Sequence, residues 1–156
     1  MLYSPGFIDT DDVIEEREGG SIAGIFKTRG EAAFRICERA AIASLDPPRP
    51  SVIATGGGSF VDEDNRRCLR GLGVVVCLVS SIETIVERTA RARTVRPLAT
   101  DPERLAELLA ERMPFYRKAD ILVETDGLSV EQAASRVIGM VAPHLRLDQR
   151  GGGNAP

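Results

Sequence analysis

Two runs of strand length constrain this chain more than any other feature: Ser51 to Thr55, which ends on Gly56-Gly57-Gly58, and Val74 to Val79, which is apolar throughout. Uninterrupted apolar strands separated by helical periodicity predict a parallel sheet, because only strands covered on both faces do without a polar alternate. Both runs are therefore expected to be buried on two faces. Phe7-Ile8 predicts the end of a further short strand and Asp120 to Glu124 another, while Glu31 to Leu45, Ile82 to Arg91 and the segment opening at Thr100-Asp101-Pro102-Glu103 carry helical signals. Gly19-Gly20 and Gly30 punctuate, and Ser129 with Gln132 makes a capping box for a last helix through Met140. The fold class is α/β, a parallel sheet with helices on both faces.

With 156 residues, 43% hydrophobic and 28% charged, one domain spanning 1–144 is expected, followed by a glycine-rich, disordered tail over 145–156. A net charge of -3 provides no cationic field for nucleic acid or anionic lipid, so neither is expected as a partner. Cys37, Cys68 and Cys77 have no metal or disulfide spacing, which suits a reducing cytoplasm. Met1 to Gly6 shows no cationic segment followed by an apolar one, and Val74 to Val79 is far too short to span a bilayer.

Ligands of such sheets sit beyond the carboxyl ends of the strands, where Asp9-Thr10-Asp11 and Gly56-Gly57-Gly58 fall. Asp9 and Asp11 fit a metal ligand and a general base, with helix capping as the competing reading. Three glycines in a row let backbone amides approach a ligand that a side chain would fend off, or simply make a βα turn. Arg35 has Glu31 one turn before it, so an i,i+4 ion pair is its plain alternative. Arg112 can serve a helix C-terminus, and Arg88, Arg91, Arg93 and Arg96 form either a solvated face or a lid bringing cations to phosphates. His144, alone beyond the last helix, is read as surface. No Gly-x-x-x-x-Gly-Lys-Ser/Thr phosphate loop is present: the chain has two lysines, Lys27 and Lys118, and neither stands in that context.

Taken in order, Phe7-Ile8-Asp9-Thr10-Asp11, Ser21-Ile22-Ala23 with Ile25-Phe26, Gly30-Glu31-x-x-Phe34-Arg35-x-x-Glu38, Gly56-Gly57-Gly58, Arg96-Pro97-Leu98 and Arg112-x-Pro114-x-Tyr116 resemble shikimate kinase. The resemblance runs from Phe7 to about Val141. It implies a P-loop kinase fold of the nucleoside-monophosphate-kinase type, and transfer of the γ-phosphoryl group of MgATP to the 3-hydroxyl of shikimate. It further implies that Asp9 helps hold Mg2+, that Asp11 binds shikimate and acts as catalytic base, and that Arg35 and Arg112 clamp the carboxylate while Gly57 and Gly58 close on the ring. Arg96 would arrive with a lid over 93–99, and Arg88 would lie by the adenine. Shikimate and ATP are the implied partners, of a monomer in the cytoplasm.

In the family a central strand, a phosphate loop and a helix precede the Asp-Thr-Asp segment, whereas six residues precede Phe7 here. The recorded start is therefore expected to fall too late, and turnover by the 156 residues alone is not expected. The alternatives are a non-catalytic remnant that binds a small carboxylate or a partner, and a related small-molecule kinase such as a gluconate kinase.

Overall fold

The computed structural model of the chain describes residues 6–91 and 102–151. Its contacts gather into two compact units, Met1–Gly73 and Val74–Pro156.

In the first unit, β1 (Gly6–Asp9) pairs in parallel with β2 (Ser51–Ala54), setting Gly6 opposite Ser51 and Asp9 opposite Ala54. The crossover between them is helical. Helix α1 (Thr10–Glu18) starts at Asp9, whose carboxylate accepts the Asp11 amide at 2.9 Å, and stops at Gly19, whose left-handed φ of 65° few other residues adopt. Helix α2 (Ile22–Ala43) follows from its cap Ser21 and breaks at Gly30, where φ 78° and ψ 176° leave helical space. That backbone region is essentially restricted to glycine, so the punctuation legible in the sequence has a steric cause.

The apolar stripes of the two helices close on each other. Ile14, Ile25, Phe34, Cys37 and Ala41 form one buried cluster, with Val13 and Ile22 packed against it. Each fully buried branched side chain contributes about 1.5–3 kcal/mol. At the rim, Arg17 donates to the Ala40 carbonyl at 3.0 Å and Glu15 accepts the Ile22 amide at 2.9 Å, while Arg29 pairs with Glu18. After β2, a single 3-10 turn (Ser59–Val61) leads into α3 (Glu63–Leu72), capped by Asp62.

The second unit repeats the plan. Strands β3 (Val76–Val79) and β4 (Ile121–Glu124) pair in parallel, joined through α4 (Ile82–Arg91) and α5 (Pro102–Tyr116), and α6 (Val130–Gly151) follows β4. The capping box is as expected: the Ser129 amide donates to the Gln132 side chain at 2.8 Å, and the Gln132 amide to the Ser129 hydroxyl at 3.3 Å. Ile121 and Val123 are buried, while the Asp126 carboxylate accepts the Ser81 amide and ties the ends of β3 and β4 together. No helix among the described residues is long and apolar enough to cross a membrane.

Parallel strands alternating with helices are thus the class adopted, with three differences. The strands are not covered on both faces: Val52 is 54% exposed and Leu78 60%, because each described sheet has two strands and the alternate residues of each strand face away from the helices. Helix α6 continues through Pro143 to Gly151, so 145–151 are helical where a tail was expected. His144 consequently lies within a helix, although it is exposed as expected.

Candidate functional site

The carboxyl ends of β1 and β2 deliver two loops to one place. From β1 the chain turns directly into α1, presenting Asp9, Thr10 and Asp11 at the helix start. From β2 it runs into Gly56-Gly57-Gly58, and the Ser59 amide donates back to the Gly56 carbonyl at 3.0 Å. A side chain added at Gly56 would place its first carbon 4.0 Å from a carboxylate oxygen of Asp11, so these loops adjoin.

Arg35 reaches the same spot from α2. Its guanidinium is so close to the glycine loop that a Cβ at Gly58 would lie 2.6 Å from Nη1 and 2.8 Å from Nη2. A φ of -77° at Gly58 suits any residue, so what glycine provides there is room for the guanidinium and not a special backbone conformation. Arg35 donates to Glu31 at 3.0 Å and to Glu38 at 2.9 Å, and its cation lies 5.2 Å from the Phe34 ring centroid. Partial burial opposes the charge of Arg35, but the hydrogen bonds to Glu38 and Glu31 outweigh it and raise the pKa, so the fork stays cationic.

The ion pair with Glu31 expected as the plain alternative is therefore present, and it does not exhaust the residue. The larger constraint is Glu38, whose side chain is 3% exposed against 66% for Glu31. A carboxylate that deeply buried needs donors on both oxygens. Arg35 supplies one and the Ser59 hydroxyl, at 2.6 Å, the other. In the sequence Glu38 stands in the Gly30-to-Glu38 motif with no role of its own, and Ser59 stands in none. The i,i+3 spacing from Arg35 to Glu38 was available as a signal, but nothing in the sequence marked Ser59.

Asp11, Arg35 and the glycine loop are thus brought together, giving a cationic fork, a carboxylate and an open backbone floor suited to a small hydroxylated anion. Asp9 divides its attention: one oxygen caps α1, which is the competing reading of that residue made real. Asp9 suits magnesium only as one carboxylate among waters and phosphate oxygens, for the described residues contain no group of three or more ligating side chains.

In the second unit, Arg112 sits half-buried on α5, near enough to Tyr116 to offset part of the rise that burial imposes on the phenol. Arg88 is spoken for: Nη1 donates to the hydroxyls of Ser80 and Thr125 at 3.2 and 3.0 Å, and Nη2 to the Thr125 carbonyl at 2.6 Å. It braces the loop after β4. Arg96 and the expected lid over 93–99 lie outside the described residues.

Comparison with known proteins identifies the family. The family model for shikimate kinase matches residues 2–142. The chain is 42% identical to a shikimate kinase of Thermodesulfovibrio yellowstonii over 135 residues, covering 85% of this chain and 78% of that protein. A shikimate kinase of Thermus thermophilus is 43% identical over 141 residues, covering 88% and 77%. Among solved structures, shikimate kinase from Acinetobacter baumannii in complex with shikimate superposes with a TM-score of 0.77 at 33% identity, covering 89% of this chain and 80% of that one. The enzyme from Bacteroides thetaiotaomicron gives 0.76 at 30%, covering 88% and 84%. Motif order, local geometry and these matches together place the chain in the shikimate kinase family.

Proposed function

We propose that the chain serves phosphoryl transfer from ATP to the 3-hydroxyl of shikimate, and that its first unit forms the shikimate-binding floor. The observation that carries this reading is the Arg35 guanidinium held against Gly58 beside Asp11, a planar two-donor fork next to a carboxylate. A ring bearing one carboxylate and several hydroxyls satisfies both groups. Arg35 and Arg112 would clamp the substrate carboxylate through charge-assisted bonds of about 1.5–3 kcal/mol each. Gly57 and Gly58 would close on the ring.

Asp11 would accept the proton of the 3-hydroxyl as that oxygen bonds to the γ-phosphorus and the bridging bond to ADP breaks. Arg96 would neutralise the transferring group, and Arg88 would border the adenine through the loop that it braces. Asp9 would help hold Mg2+, which when bound would supply charge neutralisation on the phosphates. We assign the protein to the cytoplasm, a reading supported by three cysteines that are all free thiols, and take it as a monomer acting on two small molecules.

A carboxylate-binding protein without turnover is the second reading, and it would use the same fork, carboxylate and glycine floor. Calorimetric titration with shikimate, with gluconate as control, should show saturable binding of shikimate alone, abolished by Arg35→Ala. Release of ADP only when shikimate is supplied would establish the kinase. Shikimate binding without ADP release, in a protein that carries the family's phosphate loop ahead of Phe7, would favour the second reading, and no binding of shikimate would refute both.

A further inference from the structure

Arg35 is held by two carboxylates of very different character. Glu31 stands in water, where an exposed pair is weak and easily rearranged. Glu38 does not, so the direction of the guanidinium follows the direction of the Glu38 carboxylate. That carboxylate has a second anchor in the Ser59 hydroxyl, which is fully buried and donates to Oε1 at 2.6 Å. Both Ser59 and Glu38 are shielded from solvent, at 0% and 3% exposed.

Ser59 is itself fixed on two other sides. Its amide donates to the Gly56 carbonyl at 3.0 Å, closing the glycine loop. Its carbonyl accepts the side-chain amide of Asn65 at 3.1 Å, and the Asn65 backbone amide in turn donates to the α3 cap Asp62 at 3.0 Å. Asn65 is 2% exposed. The hydroxyl of Ser59 is therefore held in place by the glycine loop and by the start of α3.

We infer that Ser59 is a positioning residue for substrate binding, acting through Glu38 to aim the Arg35 fork over Gly58. The functional half of this inference rests on the reading of Arg35 as the carboxylate clamp. The structural half does not. Ser59→Ala removes one donor from a buried carboxylate, which then swings toward other donors and takes the guanidinium with it.

The test uses the full chain and two readouts. In nuclear magnetic resonance at low temperature, the Arg35 Nη1–H group, which donates to Glu38, should exchange with solvent faster in S59A than in the wild type. Shikimate affinity should fall by about tenfold, the size expected of one hydrogen bond to a charged group. In a Glu38→Leu background, where no carboxylate remains to be aimed, adding S59A should change affinity less than about twofold, as for uncoupled sites. An unchanged Arg35 signal in S59A overturns the inference, whether or not thermal stability falls. So does a tenfold loss that persists in the Glu38→Leu background. If the wild type binds no shikimate, the clamp reading fails, and the Arg35 signal alone still decides whether Ser59 aims the fork.

Discussion

Gly58→Ala is the substitution that most directly probes the contact between the glycine loop and Arg35. The new methyl carbon would lie 2.6 Å from Nη1, 2.8 Å from Nη2 and 3.0 Å from Cζ, so the guanidinium must retreat by roughly 0.8 Å to reach ordinary contact. Backbone strain is not involved at φ -77°. Folding should even gain about 0.4–1 kcal/mol, because alanine has fewer unfolded conformations to lose. Against this stands the displacement of Arg35 from Glu38, so the net change in stability should stay within about 1 kcal/mol.

Binding should respond far more, since misplacing a positioning group by about 1 Å can cost on the order of a hundredfold. The assay is shikimate titration beside denaturant unfolding, with Gly56→Ala as control. A methyl carbon at Gly56 would meet its nearest neighbour, the Ser59 hydroxyl, at an ordinary 3.6 Å. Wild-type affinity in Gly58→Ala, or an equal loss in Gly56→Ala, would refute the reasoning.

Two further perturbations address stability. Among the described residues the buried Thr10 hydroxyl has no hydrogen-bond partner, so Thr10→Val should leave the denaturation midpoint unchanged or raise it, and a loss above about 1 kcal/mol would contradict the orphaned state. Asp62 caps α3, and its carboxyl is held below the usual range by the Asn65 amide first, then Arg39 and the Asp64 amide, against opposition from partial burial. Its contribution is present above the unfolded pKa of about 4 and disappears as pH falls through the lower folded value, so the roughly 1 kcal/mol cost of Asp62→Ala in urea unfolding should shrink below about pH 4.

The sequence was most readable where one residue type has one physical use. Gly19 and Gly30 stop or break helices because of positive φ, and Ser129 with Gln132 caps α6 through a pattern confined to four residues. The order of the motifs named Asp11, Arg35 and Gly58 together, and the fold sets the segments that carry them side by side. The ties of Arg88 to Ser80 and Thr125 depend on where β3 and β4 end, which no local pattern states. Ser59 was illegible for a similar reason: its partner lies 21 residues away, and a serine after three glycines looks like part of a turn. The exposure of Val52 and Leu78 was missed because apolar character shows what a strand can bury, not what is there to cover it.

Phe7 and Val52 are partners in the β1–β2 register and are 69% and 54% exposed, so they form an apolar rung on one face of that sheet. For anyone preparing the protein, this rung is a matter of colloid chemistry. Exposed apolar strand surface invites chance adhesion between molecules. Such adhesion begins with a bimolecular collision, so its initial rate falls as the square of concentration. Dilute expression, cool handling and early exchange into a weakly salting buffer should preserve more dispersed protein than any adjustment of pH, because no titrating group is part of the rung. Kosmotropic precipitants act in the opposite direction, strengthening apolar association by their exclusion from the surface.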